Sequence, residues 1–244
     1  MNSLTLNGKI ILVTGATQGI GKAVSVNCAL AGATVIACGR NVRALELLSD
    51  SIVKQGGATP SLLPINLATA SVKDYREIAS HILNQYSHLD GAILNAAMLG
   101  ELTPISNYLS SMWMEVFQVN VHANFLMLKE LRELLLKSKM KSVLFTLENA
   151  KVTHGAHWGA YGASKAALQA LMKVFALENT AADELNVIGV IPPPTRTSIR
   201  MSAYPAEDQS KLADPIAVAD AYVGLLTTAK EHLMQDIFDI SYSK

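Results

Sequence analysis

The sequence predicts an α/β fold in which a doubly wound parallel sheet of about seven strands is covered by helices on both faces. Short runs of apolar and β-branched residues alternate along the 244-residue chain with longer segments of helical periodicity. The short runs are apolar on both faces, which is typical of parallel strands buried between two helical layers. No internal repeat, low-complexity tract or linker-like segment interrupts the alternation. We therefore expect a single domain over residues 1–244.

The predicted strands and helices follow one another in alternating order. The strands are predicted at Ile10–Thr14, Thr34–Cys38, Ser61–Ile65, Gly91–Asn95, Ser142–Leu147, Asn186–Ile191 and Asp236–Ile240. The helices are predicted at 19–31, 41–55, 71–86, 109–138, 159–180 and 215–229. Sheets of this kind bind their ligands at the carboxyl ends of the strands, near the point where the strand order reverses. We therefore expect the functional residues at the strand ends.

The composition excludes several classes of protein. Half of the residues are hydrophobic and 16% are charged, which favours a compact globular chain over a disordered one. The formal net charge is zero and no run of Lys or Arg occurs, so neither nucleic acid nor a membrane is an expected partner. The N-terminus has no apolar signal core, and Cys28 and Cys38 are too few for a disulfide framework. We expect buried thiols, no metal site and a cytoplasmic protein.

The first predicted strand runs directly into a glycine-rich turn, Thr14-Gly15-Ala16-Thr17-Gln18-Gly19-Ile20-Gly21, and then into a helix. Glycines let the chain turn tightly and let backbone N–H groups approach a pyrophosphate at the helix N-terminus. A turn that merely needs small residues is the alternative. The order of strand, glycines and helix favours a dinucleotide site in a Rossmann-type fold.

Tyr161 and Lys165 lie one turn apart in the predicted helix 159–180, so their side chains share one face. A free tyrosine ionises near pH ~10, and a neighbouring ammonium lowers that pKa toward the neutral range. The pair is therefore a candidate acid–base device, although the same spacing also occurs in ordinary exposed pairs.

The spacings Gly15-x-x-x-Gly19-x-Gly21 and Tyr161-x-x-x-Lys165 resemble the classical short-chain dehydrogenase/reductase family. The resemblance covers essentially the whole chain, because length, element order and motif order all match. It extends to Asn95-Ala96-Ala97, to Asn120 in the predicted helix 109–138 and to the loop 192–197. The flank of Trp158 and the run Pro-Thr-Arg-Thr of that loop resemble a bacterial subgroup of the family.

The resemblance implies an oxidoreductase that interconverts a carbonyl group and an alcohol in a small-molecule substrate. Tyr161 would exchange the proton on the substrate oxygen, and Lys165 would lower the tyrosine pKa and bind the nicotinamide ribose. Asn120 would hold a water that links Lys165 to solvent. A homodimer or homotetramer through the two long helices is also implied. The expected cofactor contacts are Gly15, Thr17, Gln18, Gly19, Ile20, Gly21, Arg40, Asn66, Leu67, Asn95, Tyr161, Lys165, Thr195 and Thr197.

The end of the second strand, Ala37-Cys38-Gly39-Arg40, indicates which dinucleotide is preferred. It lacks the acidic residue that commonly holds the ribose hydroxyls of NAD(H). Arg40 can instead meet a 2′-phosphate with a charge-assisted hydrogen bond. A solvated arginine that caps the strand is the alternative. The sequence therefore predicts NADP(H) over NAD(H).

Glu148 stands where the family has its catalytic serine. A serine hydroxyl donates to the developing oxyanion, and losing one such donor costs roughly 3–4 kcal/mol. An ionised glutamate cannot donate, and its charge disfavours both the oxyanion and the tyrosinate. Glu148 can serve only if it is protonated, or if it points away and Asn149 or Thr146 takes over.

Three further substitutions depart from the family pattern. Pro193 replaces a glycine, which fixes φ and removes an N–H beside the nicotinamide. Ala97 also replaces a glycine, and Asn66 stands where an aspartate commonly contacts the adenine amino group. The amide oxygen of Asn66 can still accept that bond. An alternative function is therefore a catalytically impaired, dinucleotide-binding sensor or scaffold.

The residues around the reacting end suggest a substrate pocket. Trp158 and the apolar residues of 194–205 are expected to line it under a mobile lid. His154 and His157 lie three apart, but no set of carboxylates or thiols accompanies them, so a metal pair is not favoured.

Overall fold

Seven parallel strands carry the fold in the computed structural model, which describes residues 5–179, 185–228 and 236–240. The strands are β1 (Ile10–Thr14), β2 (Thr34–Gly39), β3 (Ser61–Pro64), β4 (Gly91–Leu94), β5 (Ser142–Thr146), β6 (Asn186–Ile191) and β7 (Ile237–Asp239). They lie in the order β3-β2-β1-β4-β5-β6-β7. The chain therefore fills one side of β1 first and then returns to the other, so the strand order reverses between β1 and β4. The predicted fold class, a doubly wound parallel sheet, is confirmed.

The helices connect the strands and cover both faces of the sheet. They are α1 (Gly19–Leu30), α2 (Val42–Lys54), α3 (Val72–Tyr86), α4 (Ser110–Phe117), α5 (Ala123–Leu136), α6 (Ala150–Thr153), α7 (Gly159–Glu178), α8 (Ser198–Ala203) and α9 (Pro215–Thr227). Residues 180 and 229, at which two of the predicted helices end, lie outside the described residues. No helix in the described ranges combines the length and the apolar character needed to cross a membrane.

The prediction of one continuous helix over 109–138 is wrong in its middle. A π-helical turn, Gln118–His122, separates α4 from α5. One wide turn shifts the hydrophobic pattern by only a fraction of a turn, so the sequence periodicity does not reveal it.

The helices α6 and α8 were not predicted, because each is too short to establish a hydrophobic periodicity. Each begins at a side-chain cap instead. Asn149 accepts from the amides of Lys151 and Val152, and Thr197 accepts from that of Arg200.

Apolar side chains pack on both faces of the sheet. The helices α1, α2 and α9 cover one face, and α3, α5 and α7 cover the other. Side chains alternate along β1, so that Leu12 faces the layer of α5 and Val13 faces the layer of α1. The free thiols of Cys28 and Cys38 are buried in opposite layers. Since both faces are covered, the interior of the sheet offers polar groups to a ligand only at the strand ends.

A buried carboxylate, Asp90, ties together the amino ends of the central strands, opposite the ligand-binding edge. It accepts from the amide of Ile10 at 2.8 Å, from the hydroxyl of Ser138 at 2.6 Å and from the ammonium of Lys9 at 3.2 Å. The ring of His88 lies 3.1 Å away. Burial alone would raise the pKa of Asp90, but these hydrogen bonds outweigh it and hold the pKa below its ordinary value.

We expect Asp90→Asn to lower the free energy of unfolding by roughly 3 kcal/mol, because an amide leaves a buried donor without an acceptor. Asp50→Asn, on the exposed side of α2, removes the same charge and should change it by less than about 0.5 kcal/mol. Because the folded pKa is lowered, the contribution of Asp90 is present above the unfolded pKa of about 3.9 and is lost as pH falls through the folded value. Urea unfolding of the wild type and both variants at pH 7 and pH 3 measures these free energies. If Asp90→Asn lowered the free energy of unfolding as much at pH 3 as at pH 7, the prediction would be contradicted.

Candidate active site

A cavity of about 400 Å³ opens at the carboxyl ends of the strands, across the point where the strand order reverses. All but one of the predicted cofactor contacts line it: Gly15, Thr17, Gln18, Gly19, Ile20, Arg40, Asn66, Leu67, Asn95, Tyr161, Lys165, Thr195 and Thr197. The structure therefore brings the sequence-predicted residues of six separate chain segments into one site. Gly21 is the exception.

The glycine-rich turn leaves the first amides of α1 open to the cavity. Gly15 and Gly19 adopt φ values of 66° and 53°, which side chains other than glycine rarely tolerate. The N-cap residue Gln18 makes no capping hydrogen bond through its side chain, so the first turn of α1 keeps amides without an intrahelical partner. Such amides bind a phosphate group well. The turn thus fits the pyrophosphate of a dinucleotide.

Gly21 lies behind this turn and serves packing. A Cβ atom at Gly21 would lie 2.2 Å from the carbonyl oxygen of Gly15 and 2.5 Å from Nδ2 of Asn95. The close approach of α1 to the ends of β1 and β4 therefore requires a glycine at this position.

Thr14, which the sequence analysis did not select, joins the ends of β1 and β4. Its hydroxyl oxygen accepts from the amides of Asn95 at 2.9 Å and Ala96 at 3.0 Å. The side-chain amide of Asn95 returns a bond to the carbonyl of Thr14 at 3.2 Å. The only signal in the sequence was a polar residue at the end of an apolar strand. These bonds fix the floor of the cavity.

Arg40 lies just beyond β2, exposed at the rim of the cavity. It forms no ion pair with any residue in the described ranges, so its guanidinium is open to a ligand. Asn66 lies beyond β3, where its side-chain oxygen accepts from the amide of Ala68 at 3.2 Å. The oxygen retains a second lone pair for a ligand.

Tyr161 and Lys165 meet Glu148 at the inner end of the cavity. The hydroxyl of Tyr161 donates to Oε2 of Glu148 at 3.4 Å, a long hydrogen bond. The ammonium of Lys165 donates to the carbonyl of Thr146 at 2.9 Å and lies 5.8 Å from the centre of the Tyr161 ring. Tyr161 and Lys165 are both buried. The helix α7 therefore presents the pair on one face, as the spacing predicts.

The expected lowering of the tyrosine pKa is wrong for this arrangement. Burial raises the pKa of Tyr161, and the charge and hydrogen bond of Glu148 raise it further. The ammonium of Lys165 donates to the carbonyl of Thr146 and makes no hydrogen bond to the phenol oxygen. Burial lowers the pKa of Lys165 to about 8, although Glu148 acts in the opposite direction. Tyr161 is therefore held as a neutral phenol.

Glu148 lines the cavity, so the alternative in which it points away from the site is not the one that the structure adopts. Its Oε1 accepts from the backbone amide of Asn149 at 3.0 Å and from the side-chain amide of the same residue at 2.9 Å. Asn149 is further engaged in capping α6. The hydroxyl of Thr146 donates to Asn95 at 3.3 Å and pairs with the buried hydroxyl of Tyr222 at 3.0 Å. The hydroxyl of Thr146 is therefore not a free donor, and one of the two N–H donors of the Asn149 side chain is used by Glu148.

Asn120 lies in the π-helical turn, fully buried behind the cavity wall. Its side chain accepts from the amide of Met98 at 2.8 Å and donates to the carbonyl of Met98 at 3.0 Å and to the hydroxyl of Ser164 at 2.9 Å. Ser164 in turn donates to the carbonyl of Tyr161 at 2.9 Å. Asn120 thus connects the wall at Met98 to the helix turn that carries Tyr161. Its backbone carbonyl accepts from the side chain of Asn124 at 2.8 Å.

The loop after β6 and the helix α8 cover the cavity. The hydroxyl of Thr195 donates to the carbonyl of Pro193 at 2.6 Å, and the amide of Ala213 donates to Pro194 at 2.9 Å. These bonds anchor the proline run beside the cavity. The hydroxyl of Ser198 donates to Gln18 at 3.2 Å, which joins the start of α8 to the glycine-rich turn.

Aromatic rings form the roof above Tyr161. The ring of Trp158 lies 5.8 Å from that of Tyr161 and 5.7 Å from that of Tyr204. The guanidinium of Arg200 stacks 3.8 Å over the Tyr204 ring and forms a bidentate ion pair with Glu207. The expected pocket-lining role of Trp158 and of segment 194–205 agrees with this geometry. Arg200 and Glu207 were missed, because no pattern links residues of an irregular segment.

The sequence and the fold match one family throughout. The sequence model of the short chain dehydrogenase family matches residues 9–208. The uncharacterised oxidoreductase YciK of Escherichia coli is 39% identical over 221 residues, which cover 91% of this chain and 87% of that protein.

Solved structures of similar proteins superpose closely. A short chain dehydrogenase of Escherichia coli complexed with NADPH is 37% identical and has a TM-score of 0.91, covering 98% of this chain and 99% of its own. A short chain dehydrogenase of Shigella flexneri complexed with NADP is 36% identical, with the same TM-score and coverage. Sequence, strand order and superposition agree, and the chain belongs to the short-chain dehydrogenase family.

Proposed function

We propose that the protein is an NADP(H)-dependent oxidoreductase that interconverts a carbonyl group and an alcohol in a small molecule. The observation that carries the proposal is the shared cavity, in which Tyr161 and Lys165 lie across from the open amides of the glycine-rich turn. A buried phenol and ammonium beside a phosphate-binding turn fit a dinucleotide and a proton-transfer site together. We further propose the cytoplasm as its location.

The preference for NADP(H) is supported by Arg40 and by two relatives. The guanidinium lies free at the rim beyond β2, where it can meet a 2′-phosphate. Similar proteins from Escherichia coli and Shigella flexneri were solved with NADPH and NADP. The residues that would hold the dinucleotide are those of the glycine-rich turn, Arg40, Asn66, Asn95 and Thr195.

The residues of the site would serve the reductive direction best. A nicotinamide dinucleotide, when bound, supplies the hydride. Tyr161 holds a proton at its hydroxyl, because burial and Glu148 raise its pKa and keep the phenol neutral. Lys165 is an ammonium below about pH 8 and is fixed by the carbonyl of Thr146. Asn120 is buried away from the cavity, so it acts as a positioning residue for the Tyr161 turn.

A second candidate function is a dinucleotide-binding sensor or scaffold with impaired catalysis. The observation that favours it is Glu148, which occupies the donor position and accepts the hydroxyl of Tyr161. Binding of NADPH without turnover of any carbonyl substrate, in the wild type and in Glu148→Ser alike, would favour this candidate over the enzyme.

We also propose a homodimer or homotetramer assembled through the long helices. The side chains of Met114 on α4, Phe125 on α5 and Val174 on α7 are exposed although large and apolar. Light scattering at micromolar concentration should give the mass of two or four chains. A monomer mass at that concentration would contradict the proposal.

Replacing Arg40 tests the cofactor preference. Arg40→Ala is expected to weaken NADPH binding by roughly tenfold or more, because a charge-assisted phosphate contact is lost, and to leave NADH binding nearly unchanged. Arg43→Ala removes a nearby arginine that pairs with Glu46, and should affect neither cofactor. Fluorescence titration measures the affinity of the wild type and of each variant for NADPH and for NADH. Tighter binding of NADH by the wild type, or equal losses for both cofactors, would refute the preference.

Replacing Tyr161 tests the proton-transfer role. With a carbonyl substrate that the wild type reduces, Tyr161→Phe is expected to lower kcat by roughly a hundredfold or more, since the proton donor is removed. NADPH affinity should stay within about twofold. Tyr86→Phe, at the end of α3, is the matched control and should keep full turnover. Undiminished turnover in Tyr161→Phe would exclude the role.

A further inference from the structure

We propose that the preferred substrate of this site carries a protonated carbon–nitrogen double bond, an iminium, which is reduced to an amine. The proposal rests on the dinucleotide binding and hydride chemistry of the proposed function, and it assigns the class of the reacting group. It follows from which of the groups at the inner end of the cavity donate hydrogen bonds and which accept them.

Glu148 and Tyr161, which meet at the inner end of the cavity, both offer acceptors to it. Glu148 accepts from Asn149 through Oε1 and from the hydroxyl of Tyr161 through Oε2. Each of these bonds places a donor on an oxygen of Glu148, so both of its carboxyl oxygens act as acceptors. The single hydroxyl hydrogen of Tyr161 is directed at Glu148, so the phenol oxygen offers the cavity only its lone pairs. At 3.4 Å the two oxygens can both accept from one N–H group.

The other donors around this position each form a hydrogen bond to another group of the protein. Lys165 donates to the carbonyl of Thr146, and Arg200 forms its bidentate pair with Glu207. The hydroxyl of Thr146 donates to Asn95 and pairs with the hydroxyl of Tyr222. A carbonyl oxygen that gains negative charge beside Glu148 would therefore face a carboxylate, which is unfavourable. An N–H group that carries positive charge finds the acceptor it needs.

The walls of the cavity also suit a cation. The rings of Trp158, Tyr161 and Tyr204 lie together above this end, and aromatic faces attract cations. Two cationic side chains border the same region. Arg200 pairs with Glu207, and the buried ammonium of Lys165 donates to a carbonyl, which carries no charge. The hydrogen bonds of Glu148 come from Asn149 and Tyr161, so its carboxylate can still pair with a cationic substrate.

The reaction balances without a proton from the protein. The iminium carbon accepts a hydride from the reduced nicotinamide dinucleotide, and a C–H bond forms. The π pair of the C=N bond moves onto nitrogen, which already carries its proton, and the product is a neutral amine. The dinucleotide is oxidised by two electrons. The bond between Tyr161 and Glu148 stays intact throughout, whereas reduction of a carbonyl would have to break it.

The test compares a cyclic imine with a ketone of the same size. NADPH oxidation is followed with 3,4-dihydroisoquinoline and with 1-tetralone, using the wild type, Glu148→Gln and Glu148→Ser. The wild type should have the higher kcat/KM for the imine. Both variants should lose roughly tenfold or more on the imine, because a charge-assisted acceptor is gone, and Glu148→Ser should gain on the ketone. Glu133→Gln, on the exposed side of α5, is the control for loss of a carboxylate.

A binding measurement gives a readout that does not depend on turnover. Calorimetry with NADP-loaded protein should show 1,2,3,4-tetrahydroisoquinoline, a cation at pH 7, binding roughly tenfold more weakly to Glu148→Gln than to the wild type. The neutral alcohol 1-tetralol should not bind more weakly to this variant. Unfolding midpoints of the variants establish that they are folded.

The outcomes separate the two proposals. Equal binding of the amine by wild type and Glu148→Gln, or a wild-type preference for the ketone that Glu148→Gln leaves unchanged, overturns the iminium proposal alone. NADPH binding without turnover of either substrate also overturns the iminium proposal, and the sensor or scaffold then remains as the candidate function. Failure to bind NADPH overturns both this proposal and the proposed function.

Discussion

The burial of both faces of the parallel sheet is the constraint on which the rest of the molecule depends. Polar backbone and side-chain groups of the strands can meet solvent or a ligand only at the two edges where strands begin and end. At the amino edge, Asp90 gathers donors from several elements into one buried cluster. At the carboxyl edge, Thr14 and Asn95 join β1 to β4 and leave a cavity above them. Stability and function are thus assigned to opposite ends of the same strands.

The sequence predicted the parts of the fold that repeat a local pattern. All seven strands and the long helices follow from hydrophobic periodicity, because a buried strand or an amphipathic helix constrains every residue in it. The π-helical turn around Asn120 and the short helices α6 and α8 could not be predicted, since a single turn or a side-chain cap leaves no periodic signal. The residues around the cavity were predictable from the glycine and Tyr–Lys spacings. Their hydrogen-bonding directions were not, because these depend on neighbours distant in the chain.

Glu148 is the residue whose position was predictable and whose hydrogen-bonding direction matters most. From the sequence, the glutamate appears as a missing donor; in three dimensions it is also an acceptor that binds the hydroxyl of Tyr161. Burial and Glu148 act together on Tyr161, whereas they act in opposite directions on Lys165. The phenol therefore keeps its proton more firmly than a free tyrosine, while the lysine gives up its proton more easily than a free lysine. Glu148, which stands where the family has a serine hydroxyl, thus affects the pKa of both Tyr161 and Lys165.

The three consecutive prolines after β6 have a consequence for how the cavity receives a ligand. Pro192, Pro193 and Pro194 each restrict φ, and hydrogen bonds from Thr195 and Ala213 hold two of their carbonyls in place. A chain restricted in this way has little conformational entropy to lose when it becomes ordered. The loop therefore samples few conformations before a ligand arrives, and association there costs less ordering entropy than it would in a glycine-containing loop. Pro193, which removes a backbone donor, thus also restricts the conformation of a loop that lines the cavity.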